Sequence, residues 1–255
     1  MPFRHDVIFA AQKRAVQAAQ YADLTVIAGD MVDYASKGGL EYAKKEIIEK
    51  LPSLLLAMGN HDITRNVCTK REDKLSYEER EELLRQYWIN DLHYATKTLQ
   101  DKVVCVALDN TSKSFYTDEV IEKFEKEIEK ARKENNIILL FQHEPISTGK
   151  PCDKEARSIL PHRKEFWNIY DLAGIKCGPD ETNKNNIKMF NLIKDNADVI
   201  YGIFCGHHHD AIYTEIIGSY INENGERVEK VIPQHCVSGC PYSNCAGVVT
   251  IIKVD

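Results

Sequence analysis

Side chains that bind metal ions or move protons follow four separate apolar segments of the chain. They are Asp30 after residues 22–29, Asn60 with His61 after 53–59, His143 after 137–142, and His207 with His209 after 198–206. Continuous apolar runs are typical of strands covered on both faces. One His at a strand end is most often a structural polar residue, whereas the same pattern at four strand ends indicates a functional site.

The mixture of imidazole and carboxylate in this set favours Mn, Zn, Fe, Ni or Co over Mg or Ca, which prefer oxygen ligands alone. A carboxylate such as that of Asp30 is able to bridge two ions. Two ions together hold the attacking and leaving oxygens of a displacement at phosphorus. Because ligands bind at the carboxyl ends of strands in open α/β sheets, we expect these donors to face one crevice.

The periodicity of the chain predicts an α/β fold. Helices are predicted over residues 7–20, 38–51, 76–87, 118–134 and 184–195, and further strands over 103–108, 212–217, 228–232 and 248–254. The order strand, helix, strand is that of a parallel sheet, and Asn224-Gly225 is typical of a hairpin turn. Residues 147–183 have no clear period and are predicted to form a cap or rim insertion in a single domain of residues 1–255.

The composition argues against several classes of partner. The 255 residues carry a formal net charge of −6 and no block of Lys and Arg, so a nucleic-acid partner is not expected. No apolar run is long enough to span a bilayer, and no membrane association is expected. The eight cysteines, including Cys236, Cys240 and Cys245, are predicted to be mostly free thiols. That would suit the cytoplasm, although the compartment and the oligomeric state stay open.

Four motifs of the chain resemble those of the calcineurin-like metallophosphoesterases in order and spacing. They are Gly29-Asp30-Met-Val-Asp33, Gly59-Asn60-His61-Asp62, His143-Glu-Pro145 and Gly206-His207-His208-His209. The resemblance runs from about residue 7 to the C-terminus. It implies a four-layer αββα sandwich of two mixed β-sheets flanked by helices, with the insertion over the active site. It also implies a centre of two transition-metal ions.

The resemblance implies a metal-binding role for five residues. Asp30 would bridge the two ions, Asn60, His143 and His207 would complete the second metal position, and His209 would bind at the first. The substrate would be a small phosphorylated molecule, either a phosphomonoester or a phosphodiester, and metal-activated water would attack it.

The resemblance also implies roles beside the metals. His61 would be a general acid or a phosphate contact, and Asp62 would orient it through a hydrogen bond. Asp33 is expected only to support the turn that it ends. Arg65, just past the His61 loop, is a candidate contact for the substrate phosphate.

One family motif is not found at its usual place. The family begins with a strand that ends in Asp-x-His, and both residues bind the first metal. Here residues 1–6 alone precede the first predicted helix, so we expect that the sequence is truncated and lacks this strand. Substitution by His5 or Asp6 is one alternative. Asp91-Leu92-His93 is another, although these are expected to be surface residues of a connecting loop.

Without the Asp-x-His pair, the first metal position has few protein ligands. Asp30 and His209 alone are too few protein ligands to hold an ion tightly, so this chain is expected to bind at most one metal well. A degenerate family member that binds one metal and serves as a binding or scaffold module is therefore the alternative to an enzyme. Nuclease activity is a further alternative, disfavoured by the acidic charge balance.

Overall fold

A computed structural model describes residues 5–63, 75–111, 116–146, 184–207 and 212–237 of the chain. The helices are α1 (His5–Ala19), α2 (Lys37–Glu46), α3 (Asn60–Ile63), α4 (Tyr77–Arg85), α5 (Asp118–Glu134) and α6 (Lys184–Lys194), with a 3-10 turn at Ile48–Lys50. The strands are β1 (Thr25–Ala28), β2 (Leu54–Ala57), β3 (Tyr94–Leu99), β4 (Val103–Leu108), β5 (Ile137–Phe141), β6 (Ile200–Cys205), β7 (Ile212–Ile221) and β8 (Arg227–Cys236).

The described strands form two sheets. β1 and β2 pair in parallel, with Ile27 opposite Leu56, and α2 connects them as the strand, helix, strand pattern predicted. The larger sheet has the order β3-β4-β5-β6-β8-β7. Its four central strands are parallel, and β3 and β7 run antiparallel at its two edges. The carboxyl ends of β4, β5, β6 and β8 therefore share one edge of the sheet.

Alternating side chains of the buried strands bind the layers together. In β5, Leu139 and Phe141 face the smaller sheet, whereas Ile138 and Leu140 face α5 and α6. The opposite side of the smaller sheet packs against α2 and α4. The resulting order of helices, sheet, sheet and helices confirms the predicted four-layer αββα sandwich. The described part of the smaller sheet is parallel rather than mixed.

Helix α5 shows how closely a strong local pattern predicts an element. Thr117 caps its first turn by accepting a hydrogen bond from the N–H of Val120, and Asn135 ends it in the left-handed conformation. The predicted bounds, residues 118–134, are those observed. Capping by Ser76 is also confirmed at α4, where Ser76 and Glu79 form a reciprocal capping box.

Strand β3 was not predicted. Residues 91–93 form a connecting segment between α4 and β3, as predicted, but not all of them are surface residues. Leu92 is buried, and His93 lies between two carboxylates: Nδ1 is 2.8 Å from Asp109 Oδ2, and Nε2 is 2.6 Å from Glu81 Oε1. Asp91 does remain at the surface, where its carboxylate accepts hydrogen bonds from the N–H groups of His93 and Tyr94.

His93 makes the stability of the fold depend on pH. The hydrogen bond to Asp109, assisted by Glu81, raises the pKa of His93 to about 9. Because this pKa is higher in the folded state than in the unfolded chain, protonated His93 stabilises the fold. The stabilisation is complete below the unfolded pKa of about 6.5 and is lost as the pH rises through about 9. We expect His93→Gln to destabilise the protein by about 1–3 kcal/mol more at pH 6 than at pH 10. Urea unfolding of both proteins at the two pH values measures this, and equal losses would contradict it.

The buried cysteines of the described residues are free thiols, as predicted. Cys105, Cys205 and Cys236 form no disulfide, and the thiol of Cys236 donates a hydrogen bond to the carbonyl of Gly206 at 2.7 Å. Cys240 and Cys245 lie outside the described residues, as do the predicted strand at 248–254 and the insertion at 147–183. Within the described residues, no helix is long and apolar enough to cross a membrane.

Candidate metal centre

The turn after β1 is built around the carboxylate of Asp62. This side chain is fully buried and accepts hydrogen bonds from the main-chain N–H groups of Asp30 at 3.0 Å, Val32 at 3.0 Å and Gly59 at 2.8 Å. Burial and the nearby charge of Asp30 raise the pKa of Asp62 to about 7, although the N–H donors of Val32 and Gly59 lower it. One carboxylate thus fixes the two loops that carry Asp30 and Asn60.

Gly29 and Gly59 allow these two loops to touch. Gly29 has a φ of +81°, and a Cβ there would lie 2.4 Å from Nδ1 of His143. At Gly59 a Cβ would lie 2.1 Å from the main-chain N of Asp30. Such contacts are too short for any side chain, so the close approach of the loops requires glycine at both positions.

We expect Gly59→Ala to destabilise the fold by about 1–3 kcal/mol or more, because the main chain of Asp30 must move away from the new methyl group. Gly38→Ala is the matched control. Gly38 lies in α2 with open space around it, so Ala there is expected to be neutral or to stabilise the fold by up to about 1 kcal/mol. Urea unfolding compares the two variants. Equal effects would show that the loop contact does not constrain residue 59.

His143 lies just past the end of β5, between the two sheets. Its side chain is buried, and Nδ1 donates a hydrogen bond to the carbonyl of Ala28 at 2.8 Å. The main-chain carbonyl of His143 accepts the N–H of Gly206 at 2.9 Å, which ties this segment to the one that carries His207. Because Nδ1 holds its hydrogen toward Ala28, Nε2 of the neutral ring points its lone pair at the other predicted ligands.

Four donor atoms meet at this point, which confirms that the four strand ends share one crevice. Nε2 of His143 lies 2.9 Å from Oδ1 of Asn60, 3.1 Å from Oδ2 of Asp30 and 3.2 Å from Nδ1 of His207. Nδ1 of His207 lies 3.2 Å from Oδ1 of Asn60. Four different loops at the ends of strands from both sheets therefore bring together the sequence-predicted Asp30, Asn60, His143 and His207.

These distances fit a metal site. Donors that bind one ion at about 2.0–2.1 Å lie roughly 2.8–3.4 Å apart when the angles between them are tetrahedral or octahedral. All four measured separations fall in that range. Within the described residues, His, Cys, Asp and Glu alone form no group of three that could hold an ion. The amide oxygen of Asn60, which lies within 3.2 Å of both imidazoles, adds a further potential ligand.

The electrostatics of the set favour positive charge among these atoms. Burial would raise the pKa of Asp30, yet the hydrogen bond and charge of His143 hold it below its usual value. Burial would likewise lower the pKa of His143, and Asp30 raises it instead. A proton or a metal ion placed between Nε2 of His143 and the carboxylate of Asp30 would offset the cost of burying these groups together.

His61 is oriented by a different carboxylate from the one expected. Its Nδ1 lies 2.9 Å from Oδ1 and 3.1 Å from the carbonyl oxygen of Asp33. The hydrogen bond predicted from Asp62 to His61 is replaced, because Asp62 points inward to the main-chain N–H groups of the two loops. The main-chain N–H of His61 donates to Oδ1 of Asp30 at 2.8 Å, so the residue also supports a metal ligand.

Four of the sequence candidates have side chains outside the described part of the structure. His209 and Arg65 lie outside the described residues. His5 and Asp6 begin α1, and of this pair only the helical backbone is described. The role of Asp33 beside His61 was missed. The available signal was the Gly-Asp-x-x-Asp motif, which places a second carboxylate three residues after Asp30.

Comparisons with known proteins agree with this geometry. The family model of the calcineurin-like phosphoesterases matches residues 5–211. No curated protein sequence matches the chain. Among solved structures, a dimetal phosphatase from Danio rerio is 12% identical with a TM-score of 0.54, and the match covers 92% of this chain and 78% of that one. A Staphylococcus aureus protein assigned as a 5'-nucleotidase is 10% identical with a TM-score of 0.44, covering 94% and 50%.

The family match spans most of the chain, and the fold likeness to the zebrafish phosphatase agrees with the four layers described above. The chain belongs to the calcineurin-like phosphoesterase family. It is a metallophosphoesterase, a hydrolase of phosphoester bonds, and its family uses divalent metal ions.

Proposed function

We propose that the protein hydrolyses a small phosphorylated molecule, a phosphomonoester or phosphodiester, at the centre formed by Asp30, Asn60, His143 and His207. His209 would add a ligand on the far side of Asp30, which would then bridge two ions. The proposal rests on one observation above all: four potential ligand atoms from four loops converge, with the four closest separations between them at 2.9–3.2 Å.

A metal ion bound there would activate water and neutralise charge on the phosphoryl group. The chain's own residues provide the rest. Ala28 fixes the ring of His143 through Nδ1, and Asp62 fixes the turn that presents Asp30. The ring of His61 is partly exposed at the mouth of the site, and with Nδ1 held by Asp33 its Nε2 is left to give a proton to the leaving oxygen.

The net charge of −6 and the transition-metal donors favour a small substrate whose phosphate is attracted by the metal rather than by a basic surface. The Danio rerio neighbour is a dimetal phosphatase, which agrees with a phosphorylated substrate of this kind. Arg65 is proposed as an additional phosphate contact.

A panel of model phosphomonoesters and phosphodiesters, each assayed with added Mn, Zn, Ni or Fe, tests the proposal. We expect metal-dependent turnover of at least one class of ester and none in the chelated protein. Metal binding without turnover of any ester would instead support the single-metal binding or scaffold module. Absence of both binding and turnover would reject the proposed centre.

A further inference from the structure

The segment that carries His143 is held by buried amide side chains from both sides. Asn110 follows β4, and its Nδ2 donates to the carbonyl of Glu144 at 2.8 Å while its Oδ1 accepts the N–H of Glu144 at 3.1 Å. Gln234 in β8 forms the same pair of hydrogen bonds with Ile146: its Oε1 accepts the N–H at 2.8 Å, and its Nε2 donates to the carbonyl at 2.9 Å. Asn110 and Gln234 are called the amide clamp below.

The clamp takes the place of neighbouring strands. The pairing with β4 ends at Phe141, and the main-chain hydrogen bonds to the β6 side end at His143, whose carbonyl accepts the N–H of Gly206. The buried N–H and C=O groups of the residues that follow therefore need other partners. A side-chain amide carries one donor and one acceptor side by side, as a peptide group does, and carries no charge that burial would penalise. Both clamp residues are about 1–2% exposed, so water does not compete for these bonds.

The clamp acts next to a metal ligand without touching the metal position. Asn110 fixes the residue directly after His143, and Gln234 fixes the residue three positions after it. Gln142, directly before His143, also donates from Nε2 to the carbonyl of Glu144 and is itself held by the hydroxyl of Tyr116. Ligand side chains bind well only when held within about 0.5 Å of the productive geometry.

We propose that Asn110 and Gln234 are positioning residues that hold Nε2 of His143 in place for metal binding. This inference rests on the proposed metal centre. Loss of either amide would let the segment move and would weaken metal binding although every ligand is still present. Outer partners of metal ligands are typically worth about 10–100-fold in metal affinity, and we expect the same here.

The chain offers a matched control for the loss of a buried amide pair. Asn90 pairs with Leu56 in β2, accepting its N–H at 2.9 Å and donating to its carbonyl at 3.0 Å. The main chain of Leu56 is also held by the β1 ladder on its other edge, so Asn60 stays in place when Asn90 is lost. Asn90→Ala therefore removes an equivalent pair of hydrogen bonds, together with one to the carbonyl of Asp91 at 2.7 Å, but should not change metal affinity.

The test is a titration of the full chain with Mn2+. Binding is measured by calorimetry and by the electron paramagnetic resonance signal of the free Mn2+. Asn110→Ala and Gln234→Ala are expected to raise the Kd for Mn2+ by about 10–100-fold. Asn90→Ala is expected to stay within about twofold of the wild type while losing thermal stability like the clamp variants. If Asn110→Ala does not fold, Gln234→Ala alone carries the comparison with Asn90→Ala.

The outcomes separate the two claims. If the wild-type chain binds Mn2+ and the clamp variants bind it equally well, or if Asn90→Ala weakens binding as much as they do, the clamp is merely structural and the inference is overturned. If the wild-type chain itself does not bind Mn2+, the proposed metal centre fails and the role of the clamp fails with it.

Discussion

Replacing Asp30 with Asn is expected to lower both Mn2+ affinity and phosphoesterase activity by at least about 100-fold, more than the loss of an outer partner typically costs. The substitution keeps the shape of the side chain but removes the negative charge that faces Nε2 of His143 at 3.1 Å. It also weakens the charge-assisted hydrogen bond that Oδ1 accepts from the N–H of His61. Calorimetric Mn2+ titration and initial rates with the preferred ester measure the two effects.

Asp101→Asn is the control for this substitution. Asp101 lies in the turn between β3 and β4, at the end of the sheet opposite the metal centre, and has a φ of +50° that Asn adopts readily. Neither affinity nor rate should change there. Activity that survives in Asp30→Asn at the wild-type level would rule out Asp30 as a metal ligand.

Replacing His61 with Asn is expected to lower kcat by about 100-fold to 10,000-fold while leaving Mn2+ affinity nearly unchanged. The ring of His61 is not among the four potential ligand atoms, so the role proposed for it is proton transfer and not holding the ion. The main-chain N–H that supports Asp30 remains in the variant.

The identity of the leaving group sharpens this second prediction. An alkyl ester needs a proton on its departing oxygen, whereas a nitrophenyl ester needs it far less, so the loss of kcat should be larger for the alkyl ester. An equal loss with both esters would contradict the general-acid role and favour a phosphate contact instead. Asp33→Asn is expected to have a smaller effect than His61→Asn, because the carboxylate of Asp33 is largely exposed and only orients the ring.

Strong local signals account for what the sequence predicted well. The helical period and end caps of α5 specified its bounds, and continuous apolar runs marked the central strands. The rule that parallel strands present their carboxyl ends together then placed Asp30, Asn60, His143 and His207 in one crevice. These features depend on residues near one another in the chain, or on a general property of parallel sheets.

The features that the sequence missed depend on contacts between distant residues. Asp62 follows His61 directly and was expected to orient it, but the fold turns that carboxylate inward and places Asp33 beside the ring. Strand β3 alternates weakly, with half-buried and exposed residues, so its period did not stand out from a loop. The pairing of His93 with Asp109 joins positions that are 16 residues apart.

The amide clamp is the clearest case of a feature without a sequence signal. Asn110 and Gln234 are separated in the chain from the segment that they hold by 34 and 88 residues. An isolated Asn after a strand, or a Gln within one, is compatible with a solvent-exposed position. Only the packing of β4, β5 and β8 shows that both amides are buried and what they bind.

The most direct test of the metal centre is anomalous diffraction from crystals of the full chain grown with Mn2+. We expect an anomalous Mn peak among four atoms: Oδ2 of Asp30, Oδ1 of Asn60, Nε2 of His143 and Nδ1 of His207. A crystal grown with Asp30→Asn should show that peak lost or strongly reduced. A wild-type crystal with no Mn peak among these four atoms, or with Mn bound only elsewhere on the protein, would contradict the proposed metal centre.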